Sequence, residues 1–428
     1  MKPSMLATVS SRQHLQGAAP MAPSYAECHK PEWRMTLLSP NNYDRGISMY
    51  RTTLTLIAAG ALALTGCKQT TEGASSDLTE VKIGSANPLT GPFAHWGHDA
   101  DNGVILAAEE ANSENIELDG KKAHFTVQSE DDQADPKVAT QVAQRFVDAK
   151  VAGVIGHLTS GAAIPASRLY SEAGIPMISG SVTSPKFTEQ GYKNTFRIIA
   201  NDNQQGLALG QFAIKQLKAK KIAVIDDRTT YGQGLADDFA KAVKDAGGTV
   251  VKHEYTTNSA TDFHAILTSI KSAEPDLIFY GGMDAQAGPL VKQMKQLGMT
   301  PIFMGADGIN TPEFSKLAGA DAEGSYASSA GADKAIMPGY ADFNQKFKKR
   351  FNAEIQAYAP YDYDATRAMI DAMKRAKSAD PAKYLPELAK TNMQGVTGKI
   401  AFTPKGDIQN GTVTLYRLKA GKWETVKP

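Results

Sequence analysis

Four polar, small-residue-rich loops hold the residues of this chain that could do chemistry. They are Gly156-His157-Leu158-Thr159-Ser160-Gly161-Ala162, Ser179-Gly180-Ser181-Val182-Thr183-Ser184, Asp226-Asp227-Arg228-Thr229-Thr230-Tyr231-Gly232 and Gly305-Ala306-Asp307-Gly308. Ser160 opens a helical pattern, where free backbone N–H groups and the helix dipole favour an anion. Ser181 and Thr183 add donors from a neighbouring strand end. This is a design for holding a carboxylate, and it is equally what ordinary helix caps look like. Bond-breaking chemistry finds no support. The first loop is not the G-x-S-x-G elbow of serine hydrolases, because Leu158 stands two residues before Ser160. Ser181 and Lys186 lack the S-x-x-K spacing. His95, His98, Asp99 and Asp101 form an H-x-x-H-x-D cluster that matches no zinc spacing and lacks the rest of an EF-hand. They are expected to be surface polar residues opening a helix. Phosphate-binding motifs are missing, so the expectation is a non-enzyme with no cofactor and no metal.

The elements that must position these loops alternate. Apolar runs at 125–128, 151–155, 176–179, 222–225, 250–254, 277–280 and 302–304 read as strands. Between them, helical periodicity covers 102–111, 136–149, 162–172, 204–216, 234–246, 263–272 and 287–297. Gly174, Gly247-Gly248 and Gly298 follow three of these helices, where a left-handed cap is needed. Strand–helix–strand repetition at this spacing predicts an α/β fold of parallel sheets covered by helices on both faces. Two such sheets are expected, with 193–198 leading through Asn201-Asp202-Asn203 into the second. Later helices (340–351, 363–377, 382–390) and strands near 399–402 and 412–418 should return to complete sheets begun earlier. Ligands of open α/β sheets sit at the carboxyl ends of strands, which is where the four loops lie.

Composition narrows the function classes. A net charge of +1 gives no electrostatic case for nucleic acid or a polybasic membrane surface. The only cysteines are Cys28 and Cys67. Cys67 closes Leu64-Thr65-Gly66-Cys67 after an apolar run at 52–63 and a basic start at Met49-Tyr50-Arg51. That run fits the h-region of a signal peptide and is too short for a membrane span. The segment looks like the lipobox of bacterial lipoproteins, which makes 49–66 a cleaved signal, Cys67 the lipidation site and the only membrane anchor, and 67–78 a flexible tether. Residues 1–48 have no export role, and translation is expected to start at Met49, a disordered leader being the other reading. Removal of 66 residues from 428 leaves 428 − 66 = 362, which suits two domains.

An ordered set of motifs then carries a resemblance. Val81-Lys82-Ile83-Gly84, Pro88-Leu89-Thr90-Gly91-Pro92, Trp96-Gly97, Asp131-Asp132 and Val154-Ile155-Gly156-His157-Leu158 come first. Tyr231-Gly232-Gln233-Gly234, Tyr280-Gly281-Gly282 and Phe303-Met304-Gly305 follow. Together they resemble the bacterial leucine/isoleucine/valine-binding proteins across 79–428. The resemblance implies a type I periplasmic binding-protein fold (Venus flytrap): two Rossmann-like lobes joined by a three-segment hinge, lobe 1 being 79–199 with 328–405 and lobe 2 being 200–327 with 406–428. It implies a lipid-anchored receptor on the extracytoplasmic side that delivers leucine, isoleucine, valine or another aliphatic amino acid to an ABC permease and its ATPase subunits. A ligand sensor of the same fold feeding a signalling partner is the other reading. Carried over by position, Ser160, Thr183 and the backbone of Ser181 would hold the ligand carboxylate, and Asp307 its ammonium. Tyr231 would close from the second lobe, Trp96 and Tyr358 would line the side-chain pocket, and Met283 is counted among the ligand-binding residues. Three departures stand out. Thr159 replaces a cysteine that some members use in a disulfide, Met283 replaces an aromatic residue, and Asp307 is one methylene shorter than the family's glutamate.

Overall fold

Short apolar runs bounded by glycine and proline become strands, and amphipathic stretches become the helices that cover them. The computed structural model describes residues 78–426; the upstream sequence, the signal-like segment, and most of the tether with Cys67 lie outside the described residues. The first sheet is built from β1 (Leu78–Asn87), β2 (Glu117–Leu118), β3 (Lys121–Asp131), β4 (Gly153–Gly156), β5 (Met177–Ser179) and β6 (Thr195–Arg197). Its covering helices are α1 (Ala94–Asn112), α2 (Pro136–Asp148), α3 (Ser160–Glu172) and α4 (Lys186–Glu189). The strand order is β2-β3-β1-β4-β5-β6, and every neighbouring pair is parallel except β2 with β3.

The second sheet repeats the winding. α5 (Asp202–Lys215), β7 (Lys221–Asp226), α6 (Thr230–Asp245), β8 (Thr249–Tyr255), α7 (His264–Lys271), β9 (Leu277–Gly281), α8 (Asp284–Gln296), β10 (Ile302–Met304), α9 (Pro312–Ala318) and β11 (Tyr326–Ser329) follow in turn. The chain then forms α10 (Tyr340–Phe351), α11 (Ala359–Ala376) and α12 (Pro381–Ala389). A two-stranded ribbon of β12 (Asn392–Gln394) and β13 (Lys399–Ala401) comes next, and the hairpin β14 (Thr414–Lys419) and β15 (Lys422–Thr425) ends it. Sheet two runs β15-β14-β11-β10-β9-β7-β8, its last-formed strands antiparallel.

Local sequence explains these elements. β4 and β9 are buried along their whole length, as strands covered on both faces must be, and their residues read as unbroken apolar runs. α2 buries Ala139, Val142, Ala143 and Phe146, one face at helical spacing, behind an Asp135 cap that accepts from Lys137 and Val138 N–H. α5 begins with a full capping box between Asn201 and Gln204.

Both lobes are α/β and both sheets are mainly parallel, as predicted. Three details differ. Each sheet carries antiparallel edge strands (β2; β14 and β15), because short returning hairpins need no crossover helix. The β12–β13 ribbon pairs only with itself rather than completing the first sheet. Ser328 belongs to β11 of the second sheet, whereas Gly406 accepts from Arg197 N–H of β6 and Asp407 from its guanidinium; both contacts lie on the first sheet. Three chain segments pass between the lobes, and Ala200 N–H bonds the Ala330 carbonyl where two of them cross (2.8 Å).

Candidate ligand-binding site

In each sheet the parallel strands follow the same winding, with the second strand outside the first and the rest on its other side (β3-β1-β4-β5-β6; β8-β7-β9-β10-β11). This winding creates a switch point at the carboxyl edge of each sheet, the usual place for a ligand. The two edges enclose one cavity of about 360 Å³, within the range of small-molecule sites. Its wall comes from the loop after nearly every strand: Phe93 after β1, Leu158 to Gly161 after β4, Ser181 and Thr183 after β5, Asp227 to Tyr231 after β7, Met283 after β9 and Asp307 after β10. Tyr358, just before α11, completes it.

On one side are hydroxyls and a helix start. Ser160 is the first residue of α3, whose N-cap Thr159 makes no side-chain cap. The Ser160 hydroxyl is not a cap either. It accepts from Ser184 N–H (3.3 Å), and the Ser181 hydroxyl donates to the Leu158 carbonyl (3.0 Å). These bonds tie the β4 and β5 loops together. Arg197, fully buried, fixes the second loop from behind by donating to the Val182 and Ser184 carbonyls and to Asp407.

On the other side stands Asp307, opening a 3₁₀ turn after β10. Its Oδ1 accepts from Tyr231 Oη and Gln205 Nε2 (both 2.8 Å), and its Oδ2 from Tyr358 Oη (2.7 Å). Burial raises the Asp307 pKa, and the three donors pull it back towards ionisation. Burial also holds both tyrosines far above their ordinary value, so they stay protonated and donate. The turn needs a glycine next to the acid: a Cβ at Gly308 would lie 2.5 Å from the Gly282 carbonyl and 2.9 Å from Tyr231 Oη. Asp202, fully buried beside Asp307 and Thr183, is held well above the usual carboxylate range, first by burial and next by the Asp307 charge. Among the described residues the one cationic side chain on the cavity wall, Arg228, lies over the Tyr255 ring at 3.9 Å and pairs with Asp226 (3.7 Å). The arrangement therefore offers an unneutralised acid facing hydroxyl donors, with Phe93, Leu158, Met283 and the two tyrosine rings as apolar wall.

Of the eight residues named from sequence, Ser160, Ser181, Thr183, Tyr231, Met283, Asp307 and Tyr358 share this cavity. Trp96 does not line it. The indole is fully buried, donates Nε1–H to Asp284 Oδ2 (3.1 Å) and packs on the Tyr358 ring (5.1 Å between centroids). The phase of α1 turns it inward, and Phe93, three residues earlier, takes the wall position. Asp99 and Asp101 are also not surface residues, being 3% and 7% exposed. Asp101 accepts from the Ser129 hydroxyl, and Asp99 from four backbone amides around Tyr358. Gln205, Asp202 and Leu158 were missed; only Leu158 carried a signal, as part of the motif after β4.

Asp227, also on the wall, is pushed up to about 6, chiefly by burial, and its Oδ2 has no partner among the described residues. An acid raised in the folded state holds its proton more tightly there than in the unfolded chain. Its contribution to stability is therefore greatest below about pH 4 and is lost as pH rises to about 6. Asp227→Asn should gain stability over the natural protein across that window, reaching about 3 kcal/mol at pH 7. Denaturant unfolding at pH 4 and pH 7 measures this, and a difference independent of pH refutes it.

The comparisons agree with this architecture. The family model described as "Periplasmic binding protein" matches residues 80–422. An "Amino acid binding protein" of Pseudomonas aeruginosa is 36% identical over 344 residues, covering 79% of this chain and 90% of its own. "Leu/Ile/Val-binding protein homolog 1" of Brucella suis is 36% identical over 349 residues, covering 81% and 92%. Among solved structures, the branched-chain amino acid transporter substrate-binding protein of Streptococcus pneumoniae in complex with isoleucine superimposes with a TM-score of 0.73 at 29% identity, covering 82% of this chain and all of that one. With its two lobes, its cleft at both switch points and a match over most of its length, this chain belongs to the periplasmic binding protein family.

Proposed function

We propose that the protein captures an aliphatic amino acid, with leucine, isoleucine and valine foremost, in the cleft between its lobes and delivers it to the permease of an ABC importer. Ser160, Thr183 and the Ser181 backbone hold the ligand carboxylate, Asp307 takes the ammonium, Tyr231 closes from the second lobe, and Met283 and Tyr358 with Phe93 and Leu158 face the side chain. The observation that carries this reading is Asp307: a buried carboxylate on the cavity wall, held only by neutral donors, facing the donor-rich start of α3. A zwitterion with an apolar side chain suits that polarity. The names of the relatives in Pseudomonas and Brucella support it further. We place the lobe boundaries near residues 200, 330 and 408, so that β11 stays with the second sheet and 406–407 with β6 of the first. The protein works outside the cytoplasm, held to the membrane by lipid on Cys67.

A thermal-shift screen of the amino acids tests the assignment. A ligand at a hundredfold excess over Kd stabilises by about 2.7 kcal/mol through mass action. Leucine, isoleucine or valine should raise the melting temperature. If none does and a polar or aromatic amino acid does, the branched-chain assignment is wrong.

A further inference from the structure

The lobes meet at a second carboxylate besides Asp307. Asp284 is the first residue of α8 in lobe 2 and is completely buried. Its Oδ2 accepts three hydrogen bonds: from Thr311 Oγ1 of the same lobe (2.6 Å), and from His95 Nε2 (2.9 Å) and Trp96 Nε1 (3.1 Å) at the start of α1 in lobe 1. Thr311 caps α9 by accepting from Phe314 N–H (3.1 Å), so the acid is aimed from a fixed support. The amino-terminal end of α8 offsets its charge. On the lobe 1 side, Trp96 leans on Tyr358, whose hydroxyl returns to lobe 2 at Asp307. Two lobe 2 aspartates thus grip one aromatic pair of lobe 1, one inside the cleft and one outside it.

We propose that Asp284 is a positioning residue for ligand capture, a clasp that holds the lobes closed by taking the His95 and Trp96 N–H groups without touching the ligand. The inference rests on the reading of the cleft as a solute site. Hinge motion that opens the cleft must break these two bonds, whereas the Thr311 bond stays within lobe 2. The clasp therefore acts on the closed state, and its loss should speed ligand release while leaving association nearly unchanged. It also keeps the Trp96 ring against Tyr358 and so keeps the Tyr358 hydroxyl on Asp307.

A double-mutant cycle tests this. Asp284→Ala removes the acceptor, and Trp96→Phe removes the indole N–H together with part of the bicyclic ring while leaving a ring against Tyr358. Stopped-flow release of whichever amino acid scores in the thermal screen should be about tenfold faster in Trp96→Phe, as expected for one hydrogen bond to a charged group, and faster still in Asp284→Ala, which loses the bonds of both His95 and Trp96. Association should change less than twofold. In the Asp284→Ala background, Trp96→Phe should add nothing, because the partner of its N–H is already gone. A Trp96→Phe effect that is equally large in both backgrounds would mean that the tryptophan acts through packing, and the clasp is refuted. Small-angle scattering of the free variants gives a readout that needs no ligand: Asp284→Ala should raise the radius of gyration. An unchanged radius together with unchanged release overturns the clasp while leaving amino-acid capture intact. If no amino acid binds at all, the proposed function fails, and the radius alone decides the clasp: an increase supports it and an unchanged value overturns it.

Discussion

Asp307→Ala should weaken amino-acid binding by between about a hundredfold and a few thousandfold, with the fold retained. In the proposed reading the ligand's ammonium pairs with this carboxylate, which is buried away from water and held only by neutral donors. Breaking a buried ion pair from one side costs about 3–5 kcal/mol, because the remaining charge stays buried without its partner. The free protein should be far less affected. Removing the acid relieves the burial that raises its pKa, and this offsets the donors left unpaired on Tyr231, Tyr358 and Gln205. Calorimetric titration with the amino acid that scores in the thermal screen measures the loss, and circular dichroism checks the fold. An affinity within a fewfold of the natural protein would take Asp307 out of the site. Asp307→Asn should fall between, since an amide still accepts from a tyrosine but offers no charge to the ammonium.

Asp99→Ala should cost about 4 kcal/mol or more of folding stability, although Asp99 never touches the cavity. Its two oxygens accept from the backbone N–H of Gln356 (2.9 Å), Ala357 (3.0 Å), Tyr358 (2.7 Å) and Ala359 (2.9 Å). α11 begins at Ala359 and its N-cap Tyr358 has no side-chain cap, so an acid on α1 performs the capping from across the lobe. Each buried amide left without an acceptor costs about 1–3 kcal/mol. Asp99→Asn should be nearly as damaging as alanine, since half of the amide points a donor at donors. Urea unfolding compares the three proteins. A cost below about 1 kcal/mol for the alanine variant would show that water or the main chain replaces the carboxylate. The same four bonds set the place of Tyr358, so ligand affinity should fall together with stability.

The strands and helices were legible because each one shows in its own periodicity. The buried runs of β4, β7 and β9 and the stripe of α2 need no knowledge of a partner to be read. The polar loops at their carboxyl ends were legible for the same reason, and they include five of the eight residues chosen. The returning segments were harder. β11, β12 and β15 are three or four residues long and only partly buried, so their patterns are too short to separate strand from loop.

By itself the sequence determined the lobed α/β architecture, the chemistry of the cleft loops and the family likeness, because all of these are written in local pattern and short motifs. Tertiary structure decided which way each side chain of an element faces and what it meets across a gap of up to 264 positions. It turned Trp96 away from the cavity and towards Asp284, put Phe93 on the wall, brought Gln205 to Asp307, and made of Asp99 a cap for a helix 260 residues on. A buried aspartate and an exposed one are the same letter. Only the packing that removes water from one of them, and the donors then obliged to meet it, gives the two different work.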